Sequence, residues 1–297
     1  MKINSFCLTC LIQMQESQVR EFDDEDKKMR YMREVLAFLS SCNPDLSAPA
    51  LVKPLSRIYE KYWGRKDGMA EVKKDFNDFL LSMEADIEEK IREHKDPLEA
   101  ALCYARTGNY IDYAAVKDIS KEKLLELFEN QETSGLDSAE YGRLRHDLEI
   151  GEKLVYLTDN CGEVVLDKIA LKIIREQYPN LDVTAIVRGE PVVNDADLES
   201  ACYVGLDRVV KVMENGSGIG GTDLDDISDE ALHEIKTADV IISKGQGNFE
   251  TIHGCGLNIY YLFLCKCDWF VKRFQTERFQ GMLINERRIM HEKNASV

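Results

Sequence analysis

The sequence contains no long hydrophobic run. No apolar stretch approaches the roughly 20 consecutive residues that a membrane-spanning helix requires. The N-terminal segment MKINSFCLTCLIQMQESQ carries one lysine and a broken apolar stretch, which differs from the longer apolar core of a signal peptide. We therefore expect a cytoplasmic protein without a membrane partner.

An excess of basic residues is also absent. The 297 residues include 38 Lys and Arg against 54 Asp and Glu, which gives a formal net charge of -16. Such a chain lacks the positive surface that neutralises phosphates in most nucleic-acid complexes, so nucleic acid is not an expected partner. A small anionic ligand would instead need a local metal ion or a few well-placed lysines.

A disulfide framework is not indicated either. The nine cysteines are odd in number and scattered along the chain, which is typical of a reducing compartment. Cys7 and Cys10 have the spacing of half a zinc site or of a redox pair. No second C-x-x-C follows, although Cys265 and Cys267 are able to approach the pair in space. Structural, metal-binding and redox roles for Cys7 and Cys10 all stay open.

Residues 1–147 and 148–297 carry different patterns. The first part has amphipathic segments such as 29–39 and 69–91 and no convincing strand alternation. The second part alternates helical segments with short apolar runs at 154–157, 183–187, 209–213, 240–242 and 269–271. This pattern predicts an α/β domain with a mainly parallel, Rossmann-like sheet covered on both faces, preceded by an all-helical N-terminal domain.

The most informative stretch is KLVYLTDNCGEVVLDK, residues 153–168. It predicts a buried strand, a polar turn with Asp159 and Asn160, and then a helix, with Gly162 permitting the tight reversal. Ligands of open parallel sheets bind beyond the carboxyl ends of the strands. A carboxylate and an amide oxygen at that place suit a hard cation such as Mg²⁺ or Mn²⁺. The alternative is a simple turn or helix cap.

The next predicted strand also ends in polar residues. Asn194 and Asp195 follow 183–187 in the segment RGEPVVND. If the two strands are adjacent and parallel, Asp195 comes close to Asp159 and Asn160. These side chains would then form an incomplete oxygen shell, open to water and to a substrate oxygen.

Two glycine-rich segments need separate interpretations. SKGQGNFE, residues 243–250, lets backbone amides approach an anion, and Lys244 adds positive charge, although a plain turn is the alternative. NGSGIGG, residues 215–221, matches G-x-G-x-x-G but runs into TDLDD rather than into a helix, so we do not expect dinucleotide binding. Lys266 precedes the last predicted strand, where it either reaches the site or is a surface residue.

The ordered motifs together resemble one family. DNCGE with Asp167 downstream, RGEPVVND, GTDLDD and SKGQGNFE, with an N-terminal C-x-x-C and the turn GNYID, are similar to the damage-control phosphatases. These are metal-dependent enzymes once known only as a domain of unknown function, and the C-x-x-C is typical of one branch. The resemblance extends from Cys7 to Lys266. It implies a helical N-terminal region packed on a three-layer α/β/α domain.

The resemblance also implies a site. Asp159, Asn160 and Asp195 match the family's ligands for a divalent metal ion such as Mn²⁺, Mg²⁺, Co²⁺ or Ni²⁺. Candidate contacts to the substrate and its phosphate are Gly245, Gln246, Gly247, Asn248, Lys266, Asn109 and Glu163. The sequence departs from the family at Cys161, where Ala or Ser is expected, and at Asp197, where Thr is more usual.

The expected activity is hydrolysis of phosphomonoesters of small metabolites, either sugar phosphates or damaged nucleotides and cofactor intermediates. The metal would polarise phosphorus and orient a water, while Lys244 or Lys266 and the glycine-loop amides would stabilise the transition state. Candidates for the general acid or base are Glu163, Asp197 and Glu250. The alternatives are an S-adenosylmethionine-dependent carboxyl methyltransferase and a non-enzymatic phosphometabolite-binding protein. The substrate and the oligomeric state are not determined by the sequence.

Overall fold

A computed structural model of the protein describes residues 1–64, 69–113, 119–130 and 135–289. Its contacts divide the chain into two compact units, Met1–Gly68 and Met69–Val297. The sequence placed a division at residue 147 instead, where the helical pattern ends. The difference arises because the helices that follow residue 69 pack on helices and strands of the α/β region. The packing unit therefore begins at residue 69, although the first strand appears only at Lys153.

The first unit consists of three helices, α1 (Ser5–Val19), α2 (Glu25–Ser41) and α3 (Ala48–Trp63). Side chains cap two of the helices, because Asn4 accepts a hydrogen bond from Phe6 N–H at 2.9 Å and Asp24 accepts one from Lys27 N–H at 2.9 Å. One apolar face of each helix meets the others in a small core, whose members are Leu11, Val19, Tyr31, Val35, Leu39, Leu51, Leu55 and Tyr59.

The second unit begins with four helices and continues as alternating strands and helices. The four helices are α4 (Ala70–Glu93), α5 (Pro97–Gly108), α6 (Lys121–Asn130) and α7 (Ser138–Ile150). The strands are β1 (Lys153–Leu157), β2 (Asp182–Val187), β3 (Lys211–Glu214), β4 (Val240–Lys244), β5 (Ile259–Leu264) and β6 (Gly281–Asn285). Between them lie α8 (Glu163–Gln177), α9 (Leu198–Tyr203), a 3-10 helix (Leu206–Arg208), α10 (Asp229–Lys236), α11 (Gly245–Ile252) and α12 (Asp268–Phe274).

The six strands form one sheet in the order β3-β2-β1-β4-β5-β6. The pairs from β3 through β5 are parallel, and β6 runs antiparallel to β5. Strand order reverses between β1 and β4, so a crevice opens beyond the carboxyl ends of these two strands. The α/β class with a mainly parallel sheet and a preceding helical region is thereby confirmed. Among the described residues, no helix is long and apolar enough to cross a membrane.

One predicted strand is wrong. Residues 269–271 belong to α12, and the sheet instead uses β5 and β6, which the sequence analysis missed. All six residues of β5, IYYLFL, are buried, so this strand shows the continuous apolar run of a central parallel strand rather than an alternation. The consequence for the site is that Lys266 follows β5, at the same edge of the sheet as Asp159.

Candidate active site

Asp159 and Asn160 meet Asp195 at the crevice between β1 and β4. Backbone pairing continues past the ends of β1 and β2, since Asn160 and Asp195 form an isolated bridge and Ala196 N–H donates to Asp159 O at 2.7 Å. The three side chains are buried, with exposed fractions of 5% for Asp159, 1% for Asn160 and 7% for Asp195. The structure thus brings together the three residues that the sequence predicted as metal ligands.

Arg188 bridges the two carboxylates and was assigned no role from the sequence. It directly follows β2 and is buried. Its Nε donates to Asp195 Oδ2 at 2.6 Å, and one terminal nitrogen donates to Asp159 Oδ1 at 3.2 Å. The other terminal nitrogen donates to Asn248 Oδ1 at 3.0 Å. The available signal was position alone, because a charged residue at the carboxyl end of a buried strand points to a site.

Burial makes ionisation of these carboxyl groups unfavourable. It raises the pKa of Asp159 well above its usual value, and the negative charges of Asp195 and Glu163 raise it further. Burial also raises the pKa of Asp195, although Arg188 opposes the shift. A cation between the two carboxylates would relieve both effects.

The charges in and under the crevice do not balance. The acidic side chains are Asp112, Asp159, Glu163, Asp167 and Asp195, and the basic ones are Arg188, Lys244 and Lys266. If all five carboxyl groups are ionised, they exceed the three cations by two charges, the amount that one divalent ion neutralises. Within the described ranges, no three His, Cys, Asp or Glu side chains form a ready metal site, so a metal here must also use an amide oxygen. Asn160 is placed to supply it, and the residues present fit a hard divalent cation.

Lys244 lies beneath the crevice rather than facing it. Its ammonium is completely buried and donates to Ala105 O at 3.0 Å, to Asp167 Oδ1 at 2.7 Å and to Glu163 Oε1. An ammonium has three N–H donors, so none is left for a phosphate. Burial alone would lower the pKa of Lys244, but Asp167 and Glu163 outweigh it and raise the pKa. The sequence predicted that Lys244 or Lys266 would contact the transition state. In this structure Lys244 is not placed for that contact.

Asn109 and Glu163 hold Asp159 and Asn160 in place. The Asn109 amide nitrogen donates to Asp159 Oδ2 at 2.9 Å and to Glu163 Oε2 at 3.0 Å, while its oxygen accepts from Leu264 N–H at 3.2 Å. Glu163 in turn accepts from the Asn160 amide at 2.9 Å. These contacts link α5, β5 and α8 to the end of β1. A contact of Asn109 or Glu163 with the substrate stays a prediction.

The predicted glycine loop is the first turn of a helix. Gly245 begins α11 directly after β4 with φ of +78°, a conformation that favours glycine. A Cβ at this position would lie 1.9 Å from Asp159 Oδ2, so only glycine lets the helix start so close to the carboxylate. The first N–H groups of a helix lack partners within it. The turn with Gly245, Gln246 and Gly247 therefore presents amides at the crevice, where an anion can bind.

Asn248 fastens α11 to the neighbouring strands. Its nitrogen donates to Thr158 O at 2.9 Å and to Lys244 O at 2.7 Å, and its oxygen accepts from Thr222 Oγ1 at 2.8 Å besides Arg188. All of its polar atoms thus have protein partners, which makes it a positioning residue in this arrangement.

The NGSGIGG segment has a packing role at this helix. A Cβ at Gly247 would lie 2.2 Å from Gly220 O, and one at Gly221 would lie 2.6 Å from Gly247 O. The glycines therefore allow two backbones to touch. The next helix, α10, begins only at Asp229, which agrees with the rejection of a dinucleotide-binding turn.

Lys266 and Asp112 form the far side of the crevice. The Lys266 ammonium is completely buried and donates to Asp112 Oδ2 at 2.6 Å. Its backbone N–H donates to the Gln246 side-chain oxygen at 2.6 Å, which ties the end of β5 to α11. The positive charge of Lys266 acts to lower the pKa of Asp159, so the two side chains share one electrostatic environment.

Three further residues singled out in the sequence are Asp197, Cys7 and Cys10. Asp197 caps α9 through Ser200 N–H at 2.9 Å and pairs with Lys73 at 2.7 Å. Burial alone would raise the pKa of Asp197, but these partners lower it, which favours a structural carboxylate over an acid. Cys7 and Cys10 lie one turn apart on α1 in the first unit.

A mainly parallel sheet with buried carboxylates, amides and a helix N-terminus at its switch point is the arrangement of an α/β enzyme that handles an anionic substrate. The sequence matches the family model of the damage-control phosphatase ARMT1-like domain over residues 3–280. The chain belongs to this family, and it is a phosphatase.

Named relatives agree with this assignment. A damage-control phosphatase of Archaeoglobus fulgidus is 30% identical over 275 residues, which cover 90% of this chain and 93% of the relative. A damage-control phosphatase of Pyrococcus horikoshii is 31% identical over 272 residues, which cover 90% of this chain and 92% of the relative. The crystal structure of a DUF89 family protein from P. horikoshii superimposes with a TM-score of 0.79 at 28% identity, covering 96% of this chain and 99% of that one.

Proposed function

We propose that this phosphatase depends on a divalent metal ion and hydrolyses phosphomonoesters of small metabolites. One observation carries the proposal. Buried Asp159 and Asp195 lie beside the N-terminus of α11, in a cluster whose carboxylates outnumber its cations by two. This arrangement combines a place for a divalent cation with a place for an anion.

Asp159, Asn160 and Asp195 are the proposed ligands, and Mn²⁺, Mg²⁺, Co²⁺ and Ni²⁺ are the candidate ions. A bound ion supplies Lewis acidity at the phosphoryl group and lowers the pKa of a coordinated water. Asn109 and Glu163 keep the ligand side chains oriented through the hydrogen bonds described above. Lys244 fixes Glu163 from below.

The substrate phosphate is proposed to bind at the start of α11. The amides of the first turn, with Gly245 and Gly247, lie next to the carboxylate pair, and Lys266 provides positive charge across the crevice. Amides and a lysine fixed in this way stabilise the negative charge of a phosphoryl transition state without reorganisation. Because Lys266 is held by Asp112 at 2.6 Å, its ammonium is already oriented before substrate arrives.

The proposed substrate class is that of sugar phosphates or of damaged nucleotides and cofactor intermediates. A chain with net charge -16 is unsuited to a polymeric nucleic acid. A small phosphomonoester needs only the local charges of the crevice.

Phosphate release tests the proposal. The full chain, stripped of metal with EDTA and dialysed, is incubated with a panel of phosphomonoesters and with each of the four ions in turn. We expect release only after an ion is added, and a loss of at least about a hundredfold in Asp159→Asn, since that change removes an anionic ligand. Asp207→Asn is the matched control, because Asp207 is an exposed acid outside the motifs named above.

Two outcomes would sink the proposal. One is equal phosphate release with and without metal, and the other is near-complete activity in Asp159→Asn at saturating metal. Binding of S-adenosylmethionine by metal-free protein, without phosphate release from any ester, would favour the methyltransferase alternative.

A further inference from the structure

A broad cleft opens at the end of the sheet opposite to the candidate active site. It lies between α7, the start of β5 and the end of β6, and its volume of about 710 Å³ is that of a small-molecule site. Asn258 precedes β5 and Lys266 follows it, so the strand puts about 20 Å between the two places. We name this the α7–β6 cleft, lined by Gly142, Arg143, His146, Tyr260, Arg287 and Arg288.

Two guanidinium groups are held side by side at its edge. Terminal nitrogens of Arg143 and Arg288 donate to the same oxygen of Glu140, at 2.9 Å and 2.8 Å. The Glu140 side chain is 1% exposed, whereas those of Arg143 and Arg288 are 58% and 45% exposed. One buried carboxylate therefore orients two guanidinium groups whose side chains are half-exposed.

A third guanidinium extends the positive edge. Arg287 is exposed, and its backbone N–H donates to Asn285 Oδ1 at 2.9 Å. The other acid of the cleft, Asp147, is engaged at the floor, where one carboxylate oxygen accepts from Tyr260 OH at 2.7 Å and from Asn258 at 2.9 Å. The named residues of the cleft thus carry three guanidinium groups with the carboxylates of Glu140 and Asp147, on a chain whose net charge is -16.

The α7 side of the cleft leaves room for the carbon skeleton of a ligand. Gly142 lies within α7, and a Cβ built there meets no atom within 4 Å. Tyr260 is buried below, with its hydroxyl bound to Asp147. A pocket with an open wall and a few converging charged groups is the general form of a metabolite site.

We infer that the α7–β6 cleft binds a small molecule carrying a phosphoryl or phosphonate dianion, through Arg143, Arg287 and Arg288. Guanidinium groups suit this chemistry because their forked donors match the oxygens of a phosphate. The site is separate from the crevice and needs neither the metal nor the proposed activity.

Calorimetric titration of the metal-free full chain with methylenediphosphonate tests the inference. Binding should weaken at least about tenfold, or about 1.4 kcal/mol, in Arg287→Gln, because a charge-assisted hydrogen bond is lost. Gly142→Leu should weaken it similarly by filling the cleft, and leucine favours the helix, so folding is preserved. Arg33→Gln, an exposed arginine of α2, and Lys266→Met should leave this binding unchanged.

Three results would overturn the inference. The first is that methylenediphosphonate produces no binding heat with the wild type. The second is that binding is lost in Lys266→Met but kept in Arg287→Gln and Gly142→Leu, which would place the probe in the crevice. The third is a wild-type dimer in sedimentation that Gly142→Leu dissociates, which would make a second copy of the chain the occupant. If Gly142→Leu fails to fold by circular dichroism, Arg287→Gln decides the question.

Discussion

Arg188 carries the positive charge that pairs Asp159 and Asp195 in this structure. Both contacts are buried, at 3.2 Å and 2.6 Å. A guanidinium so placed stabilises the carboxylate pair while no metal is bound, and it competes electrostatically with a metal for the same oxygens. If the proposed metal site is correct, Arg188 links the stability of the metal-free protein to its metal affinity.

Arg188→Met should separate these two effects. We expect the metal-free variant to lose about 3 kcal/mol of unfolding free energy, since removing one partner leaves buried carboxylates without compensation. Added Mn²⁺ should raise the melting temperature of the variant more than that of the wild type. Thermal denaturation with EDTA and with Mn²⁺ measures both quantities. Arg33→Met is the control for an exposed arginine, and equal metal-induced shifts in wild type and Arg188→Met would contradict the expectation.

Metal affinity should fall as pH falls. Burial raises the pKa values of Asp159 and Asp195, so protons compete with the metal above the ordinary range of aspartate. The sign for stability is consistent. A raised folded-state pKa stabilises the metal-free protein at low pH, and this stabilisation is lost as pH rises through that pKa.

Calorimetry with Mn²⁺ at about pH 5.5 and about pH 7.5 measures how the metal affinity changes with pH. We expect a change of about tenfold per pH unit for each proton that the metal displaces. Asp159→Asn removes one titrating ligand and should flatten the slope. An affinity independent of pH in the wild type would show that the carboxylates are already ionised.

Sequence reasoning named the three proposed ligand residues, which the structure brings together, but not Arg188 or the orientation of Lys244. Asp159, Asn160 and Asp195 could be predicted because oxygen side chains at strand ends mark a site in a parallel sheet. The orientation of the Lys244 side chain could not be predicted, since its partners Ala105 and Asp167 lie in α5 and α8. Contacts that distant in the chain leave no local pattern.

At the scale of elements, the junction of β4 and α11 is the decisive one. The strand ends and the helix begins without an intervening loop, so the amides of the first turn are fixed by the sheet itself. Sequence patterns predicted the polar content of this junction but described it as a loop, because glycines lower helix propensity and favour turns. The tertiary contacts of Asn248 override that preference.

Gly245→Ala should abolish phosphate release while the protein stays folded. The substitution combines a strained φ of +78° with a Cβ placed 1.9 Å from Asp159 Oδ2. The strain alone costs about 1–2 kcal/mol, whereas the clash must displace either the helix start or the carboxylate. Activity and melting temperature are measured together.

Gly254→Ala is the matched control for strain. Gly254 has φ of +99°, and a Cβ there meets nothing within 4 Å. We expect a comparable fall in melting temperature with phosphate release retained. Loss of activity in both variants to the same extent would attribute the effect to backbone strain and not to the contact with Asp159.

At the scale of the whole molecule, composition and pattern predicted the class of fold but not its packing units. The alternation of strands and helices after residue 150 produced the parallel sheet as expected. The division between Gly68 and Met69 was not visible, because α4 and α5 have the same amphipathic pattern as the helices of the first unit. Which partner a helix face meets is decided by tertiary packing, and periodicity reports only that the face is buried.

The net charge of -16 has a kinetic consequence for an enzyme with an anionic substrate. Long-range repulsion slows the approach of a phosphomonoester, and salt screens that repulsion over about 10 Å at 0.1 M ionic strength. At saturating metal we therefore expect kcat/KM to rise about two- to threefold between low and physiological ionic strength. Potassium acetate in place of chloride controls for anion inhibition. A fall in kcat/KM with salt would mean that Lys266 and the α11 amides, rather than the whole-molecule field, control the encounter.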